Sequence, residues 1–107
     1  MVRTLAFLLA QFVAAPIVSE TVETGDRRLI DLATFECRDI SRSTVLQRVC
    51  YDRAQRNLVV ATSGSYARYC GVAAETVESL LGAPSMGQFF NRHIRREAAG
   101  GRYDCSA

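Results

Sequence analysis

The side chains in this chain best equipped for chemistry are Tyr69, Asn91, Arg92, His93, Arg95 and Arg96. An imidazole titrates near neutral pH and can bind or move a proton. A phenol and a carboxamide donate and accept hydrogen bonds, and guanidinium forks match carboxylate and phosphate geometry. If a helix carrying residues 91–96 meets a strand carrying Tyr69, these groups line a small groove with arginine at its rim. Such a groove fits an anionic ligand or an extended peptide. The ordinary alternative is that His93 packs on an apolar stripe with its ring nitrogens bonded to backbone, and that Asn91 shapes a turn or cap.

Four cysteines, Cys37, Cys50, Cys70 and Cys105, are the second group with chemical potential. Their separations of 13, 20 and 35 residues contain no C-x-x-C pair, which argues against zinc, so no metal or cofactor is expected. A cysteine nucleophile beside His93 is conceivable, but cysteines of an exported domain are consumed in disulfides. Glu75 and Glu78 sit three apart on one helix face, where solvation explains them better than paired acid–base work. No Gly-rich phosphate loop and no H-E-x-x-H occurs. No catalytic residue is assigned, and the expectation is a protein that is not an enzyme.

Export is read from residues 1–19. MVRTLAFLLAQFVAA places one arginine before an uncharged apolar run, the layout of a secretory signal peptide, with cleavage between Ala15 and Ser19. The run from Thr4 to Val18 is shorter than the ~20 apolar residues that span a bilayer, so no stable membrane span is expected after cleavage. The destination is then periplasmic or secreted.

The remaining chain divides by charge. Glu20 to Asp39 holds six acids against three arginines, a net of −3, with no sustained apolar period. Residues 20–35 therefore read as a flexible acidic leader. Ile40 to Ala107 carries nine arginines against five acids, a net of +4, and residues 36–107 read as one folded unit. A unit of this size buries only about 60% of its unfolded surface, so disulfide staples would matter.

The elements that position these groups follow from periodicity. Ser43 to Tyr51, Leu58 to Thr62 and Tyr66 to Val72 are strand signals joined by short polar turns, which gives a three-stranded antiparallel β-meander. In-register pairing sets Cys50 and Cys70 on opposite edge strands facing Val59, two strand spacings of about 4.8 Å apart and beyond disulfide reach. Each then needs a partner from a flanking segment, and the expected pairs are Cys37 with Cys50 and Cys70 with Cys105. Two short helices follow, packed on one face. Val77, Leu80 and Leu81 mark the first, which ends at Gly82-Ala83-Pro84. The second starts with Ser85 as N-cap, buries Met86, Phe89, Phe90, His93 and Ile94, and ends at Gly100-Gly101. The fold class is α+β.

The segments VCYD, SGSYARYCGV and SMGQFFNRHIR, between Val49 and Arg95, resemble the KTSC domain. This is a module of about 60 residues, found alone in small bacterial proteins and at the C-terminus of some lysyl-tRNA synthetases. The resemblance implies a small α+β module of unassigned activity, with RNA binding as one possibility through a central Tyr-x-Tyr motif. Here Ala67 stands in place of the first aromatic, Tyr69 keeps the second, and Ala73 replaces the usual proline after Gly-Val. Extra cysteines and a leader resemble an exported branch of the family. Taken together, the expected function is an exported, non-enzymatic binding module. Its expected partner is a protein, a peptide or an anionic envelope component, and nucleic acid is the alternative.

Overall fold

The computed structural model describes residues 20–105. The expected signal peptide, residues 1–19, lies outside the described residues. The element order is β1 (Thr21–Glu23), β2 (Leu29–Asp31), β3 (Glu36–Asp39), β4 (Leu46–Asp52), β5 (Asn57–Thr62), β6 (Ser65–Tyr69), α1 (Ala74–Gly82), α2 (Met86–Phe90), a π-helical turn (Asn91–Arg95) and α3 (Arg96–Ala99). Strands β3-β4-β5-β6 form one antiparallel sheet in that order, and β1-β2 form a separate hairpin. The α+β class holds, with a fourth strand and a second sheet beside the expected meander.

Strand alternation divides the large sheet into two buried faces. Val49, Tyr51, Leu58, Val60 and Tyr69 face the helices, where Val77, Leu80, Met86, Phe90 and Ile94 complete the main core. Cys50 and Val59 face the other way, against Val22 and Leu32 of the hairpin segment. Residues 20–35 are therefore ordered, contrary to the flexible leader expected from their charge. Two side-chain hydrogen-bonding contacts add to this packing. Arg48 on β4 donates to both Glu20 carboxylate oxygens at 2.5 and 2.7 Å, and the Thr34 hydroxyl donates to buried Asp52 at 2.7 Å.

Local chemistry explains the joints. Ser63 and Gly64 both adopt positive φ, 51° and 83°, between the paired ends Thr62 and Ser65. That is the two-residue type I′ turn suited to the twist of a hairpin. The Ser43 hydroxyl oxygen accepts from the amides of Val45 and Leu46, both at 3.1 Å, and so fixes the entry to β4. The Arg42 guanidinium donates to Leu81 O and Ala83 O at 2.7 and 2.9 Å, placing a cation at the carbonyl end of α1. The Ser85 hydroxyl caps α2 by accepting from the Gln88 amide at 3.3 Å.

The second helix departs from the expected regular α-helix. Its buried residues Met86, Phe90 and Ile94, with half-buried Ala98, recur every four residues. Four residues overshoot one α-helical turn of 3.6, so this stripe would drift around a regular helix. The wider π turn over Asn91–Arg95 corrects the drift and keeps Ile94 under the sheet. His93 is turned out to solvent by the same geometry, contrary to its expected place on the apolar stripe.

Both expected disulfides are present. Cys37 and Cys50 are cross-strand partners on β3 and β4 with Cα atoms 4.0 Å apart. Cys70, just after β6, joins Cys105 of the C-terminal tail at a Cα separation of 5.1 Å. The register differs from the one expected. Val59 pairs with Cys50 on one side and with Arg68 on the other, and β3 makes β4 an interior strand.

Candidate functional site

Three separate stretches converge on the outer edge of β6. The tight turn after β1 is built by Thr24, whose amide donates to Arg28 O and whose carbonyl accepts from the Arg27 amide, both at 2.9 Å. It carries Asp26 and Arg28 to the rim. Strand β6 supplies Arg68 and Tyr69. The tail after α3 bends at Gly101, with φ of 100°, and is fixed by the Cys70–Cys105 bond and by the Cys70 amide donating to Tyr103 O at 3.0 Å. It brings Arg102.

Together they enclose a cleft of about 440 Å³ lined by Asp26, Arg28, Arg68, Tyr69 and Arg102, with Cys105 at its wall. Arg68 gives the cleft its character. Its Nε is buried and has no hydrogen-bond partner among the described residues, which an ordinary folded interior avoids. The acids present are already engaged. Asp26 accepts from the Thr24 hydroxyl and lies 3.8 Å from Arg28. That hydrogen bond, ahead of the nearby arginine, holds the Asp26 carboxyl below its usual range. Asp104, also lining the cleft, has a partner as well. Arg102 stacks over the Tyr103 ring at 5.0 Å, and its loose 4.0 Å pairing with Glu97 leaves it available. Three guanidinium groups against two carboxylates leave the lining positive, which favours an oxyanion over a cation.

The residues expected to form a groove do not share one. Tyr69 is buried edge-on against Phe90, ring centroids 5.9 Å apart, and burial pushes its phenol up against the opposing effect of Arg95. Arg95 lies over the Phe90 ring at 5.0 Å and donates to Asn91 Oδ1 at 3.2 Å. His93 rests against Phe89, centroids 4.5 Å apart, and with Arg92 borders a shallow depression beside Pro84. Asn91 opens on a different hollow beside Arg42. Arg96 is exposed. Of the six, Tyr69 alone lines the arginine cleft.

The sequence did not single out Arg28, Arg68 or Arg102 as site residues. The usable signal was alternation: Arg68 sits beside Tyr69 on a strand, so its side chain leaves on the opposite face. Among the described residues, no group of His, Cys, Asp or Glu is arranged to hold a metal ion, and no helix is long and apolar enough to cross a membrane.

A small antiparallel sheet with its helices on one face, preceded by a serine-fixed strand entry and followed by an S-x-G helix start, is a recognisable architecture. Residues 42–97 match the KTSC domain, and the chain belongs to that family. The crystal structure of the KTSC domain protein YPO2434 from Yersinia pestis shares the fold, with a TM-score of 0.54 and 24% sequence identity over 57% of this chain and 86% of that one. No curated protein matches the chain. Each disulfide joins one cysteine inside the matched range to one outside it, Cys50 to Cys37 and Cys70 to Cys105. The hairpin, β3 and the tail lie outside the matched range; disulfides tie β3 and the tail to it, and the hairpin turn and the tail supply most of the lining of the arginine cleft.

Proposed function

We propose that this protein is an exported, non-enzymatic binding module that captures an anionic component of the envelope or extracellular space in the cleft beside β6. The observation that carries this reading is Arg68, whose buried Nε, in the cleft it shares with Arg28 and Arg102, lacks a partner among the described residues. A bound carboxylate or phosphate would satisfy it with charge-assisted hydrogen bonds. Two disulfides support an oxidising destination, periplasmic or secreted. A non-enzymatic role is supported by the cysteines being bonded and by His93 lying exposed with its ring against Phe89.

Nucleic acid is the weaker alternative. Single-strand binding needs exposed aromatic faces. Tyr69 is buried, and the Tyr66 hydroxyl accepts from Arg48 under the added hairpin.

The test is an NMR titration of the native protein with inorganic phosphate and with citrate, following the amides of Arg68, Tyr69 and Arg102. Saturable shifts centred there, weakened about tenfold or more by Arg68→Gln, are expected, since a hydrogen bond to a charged group contributes about 1.5–3 kcal/mol. Shifts confined to the face of Arg92 and His93 would move the site, and salt-sensitive binding of a single-stranded oligonucleotide would favour the alternative.

A further inference from the structure

We propose that the anion is the C-terminal carboxylate of a peptide, whose last residues add a short strand to the outer edge of β6. This rests on the cleft being an anion site and adds what carries the anion.

The edge of β6 is closed at two points by this chain's own backbone. The Gly25 amide donates to Tyr66 O at 2.9 Å, and the Cys70 amide donates to Tyr103 O at 3.0 Å. Strand alternation turns the amide and carbonyl of Arg68 to the same side as those two groups. Among the described residues, no backbone hydrogen bond closes the edge between them. Cys105 Sγ lies 3.9 Å from Arg68 O, but a disulfide sulfur has no proton to donate. The arginine cleft opens on this stretch.

Three residues of strand, Ala67 to Tyr69, lie between the two closures, which are about 13 Å apart at the usual rise. A through-running peptide would collide with Gly25 at one end and Tyr103 at the other. A chain that ends within the gap has to leave the edge at one point, whereas a continuous strand has to leave it at two. Of the two kinds of chain end, three arginines select the carboxylate and reject the ammonium group. Arg68 would then act twice, its backbone pairing with the peptide and its guanidinium, with Arg28, receiving the terminal carboxylate. On the opposite face of the added strand lie Tyr69, Ala98 and Ala99, which favour a small or apolar neighbouring side chain.

Binding of acetyl-Ala-Ala-Val-Ala with a free carboxylate to the native protein tests this, beside the same peptide as C-terminal amide, the same peptide N-methylated at valine, and acetate alone. The free acid is expected to bind at least tenfold more tightly than each of the other three and to shift the Arg68 amide. Arg68→Gln and, separately, Arg28→Gln should each weaken it at least fivefold, with folding confirmed by an unchanged disulfide state and melting curve. Equal binding of acid and amide, or of peptide and acetate, would overturn the peptide inference and leave the anion site standing. No binding of peptide, acetate, phosphate or citrate would overturn both.

Discussion

Arg48 holds Glu20 with both ends of its guanidinium fork, at 2.5 and 2.7 Å, and so ties the start of the added hairpin to the middle of the sheet. The arginine is largely covered, 21% exposed, and reaches the Tyr66 hydroxyl at 3.3 Å as well. A bidentate pair fixes direction as well as distance. It therefore orients the hairpin whose turn carries Arg28 and Asp26 to the cleft.

That pair sets an acid limit on the hairpin. The hydrogen bond from Arg48 holds the Glu20 carboxyl below its usual value of 4.5. A carboxylate with a depressed folded-state pKa contributes stability above its unfolded pKa, and the contribution is lost as pH falls through the folded one. The wild type should be more stable than Glu20→Gln from pH 8 down to about the usual glutamate value, and the difference should shrink below it. Melting curves of the two proteins across that range would show this. Identical curves at pH 6 would mean the pair does not contribute.

Tyr51 gives a prediction about a single buried bond. Its hydroxyl donates to Val72 O at 2.6 Å, and burial pushes its phenol up. Tyr51→Phe keeps the ring in the core and strands a buried carbonyl. The expected cost is about 1–3 kcal/mol in chemical denaturation, with little change in m-value. A loss below about 0.5 kcal/mol would show that the carbonyl finds another donor.

How much of this was legible in the sequence depended on the length of each signal. Strands β4, β5 and β6 are five to seven residues long and β-branched or aromatic, and their turn chemistry stands in plain view. Strands β1 and β2 have three residues each, too few to show a period, and their apolar contributions are single residues such as Val22 and Ile30. Their place depends on Arg48, a residue of a different strand. Strand spacing excluded only a Cys50–Cys70 bond and left two of the three pairings; the expected one is present, although Arg68 and not Cys70 faces Val59. The orientation of His93 was not legible, since a regular helix and one with a π turn share the same residues and differ in which face each presents.

Gly87 lies where α2 packs against the segment leading into β4. A Cβ there would lie 2.9 Å from Val45 Cγ2 and 3.3 Å from Val45 Cβ, and Val45 is stiff at χ1. Gly87→Ala should cost about 1–3 kcal/mol as overpacking. For a domain of this size that is a fall in Tm of at least 4 °C. The double variant with Val45→Ala should recover most of the loss. An unaltered Tm in the single variant would show that α2 moves away from β4 at no cost.

The two disulfides should separate stability from binding. In the chain-entropy relation a loop of 13 residues gains about 3 kcal/mol and one of 35 about 4. Removing either pair as a double alanine variant should therefore destabilise the protein by similar amounts. Their local effects differ, because Cys37–Cys50 lies within the sheet between β3 and β4, whereas Cys70–Cys105 holds the tail that carries Arg102 along the cleft. Losing the second bond frees the tail, so the Cys70 position should lose protection of the amide that now donates to Tyr103 O. Hydrogen exchange should show that acceleration, with loss of phosphate or peptide binding, in Cys70→Ala/Cys105→Ala. Under conditions where it is still folded, Cys37→Ala/Cys50→Ala should keep both the slow amide and the binding. If the two variants lose binding together while folded, the cleft depends on the whole sheet and not on the stapled tail.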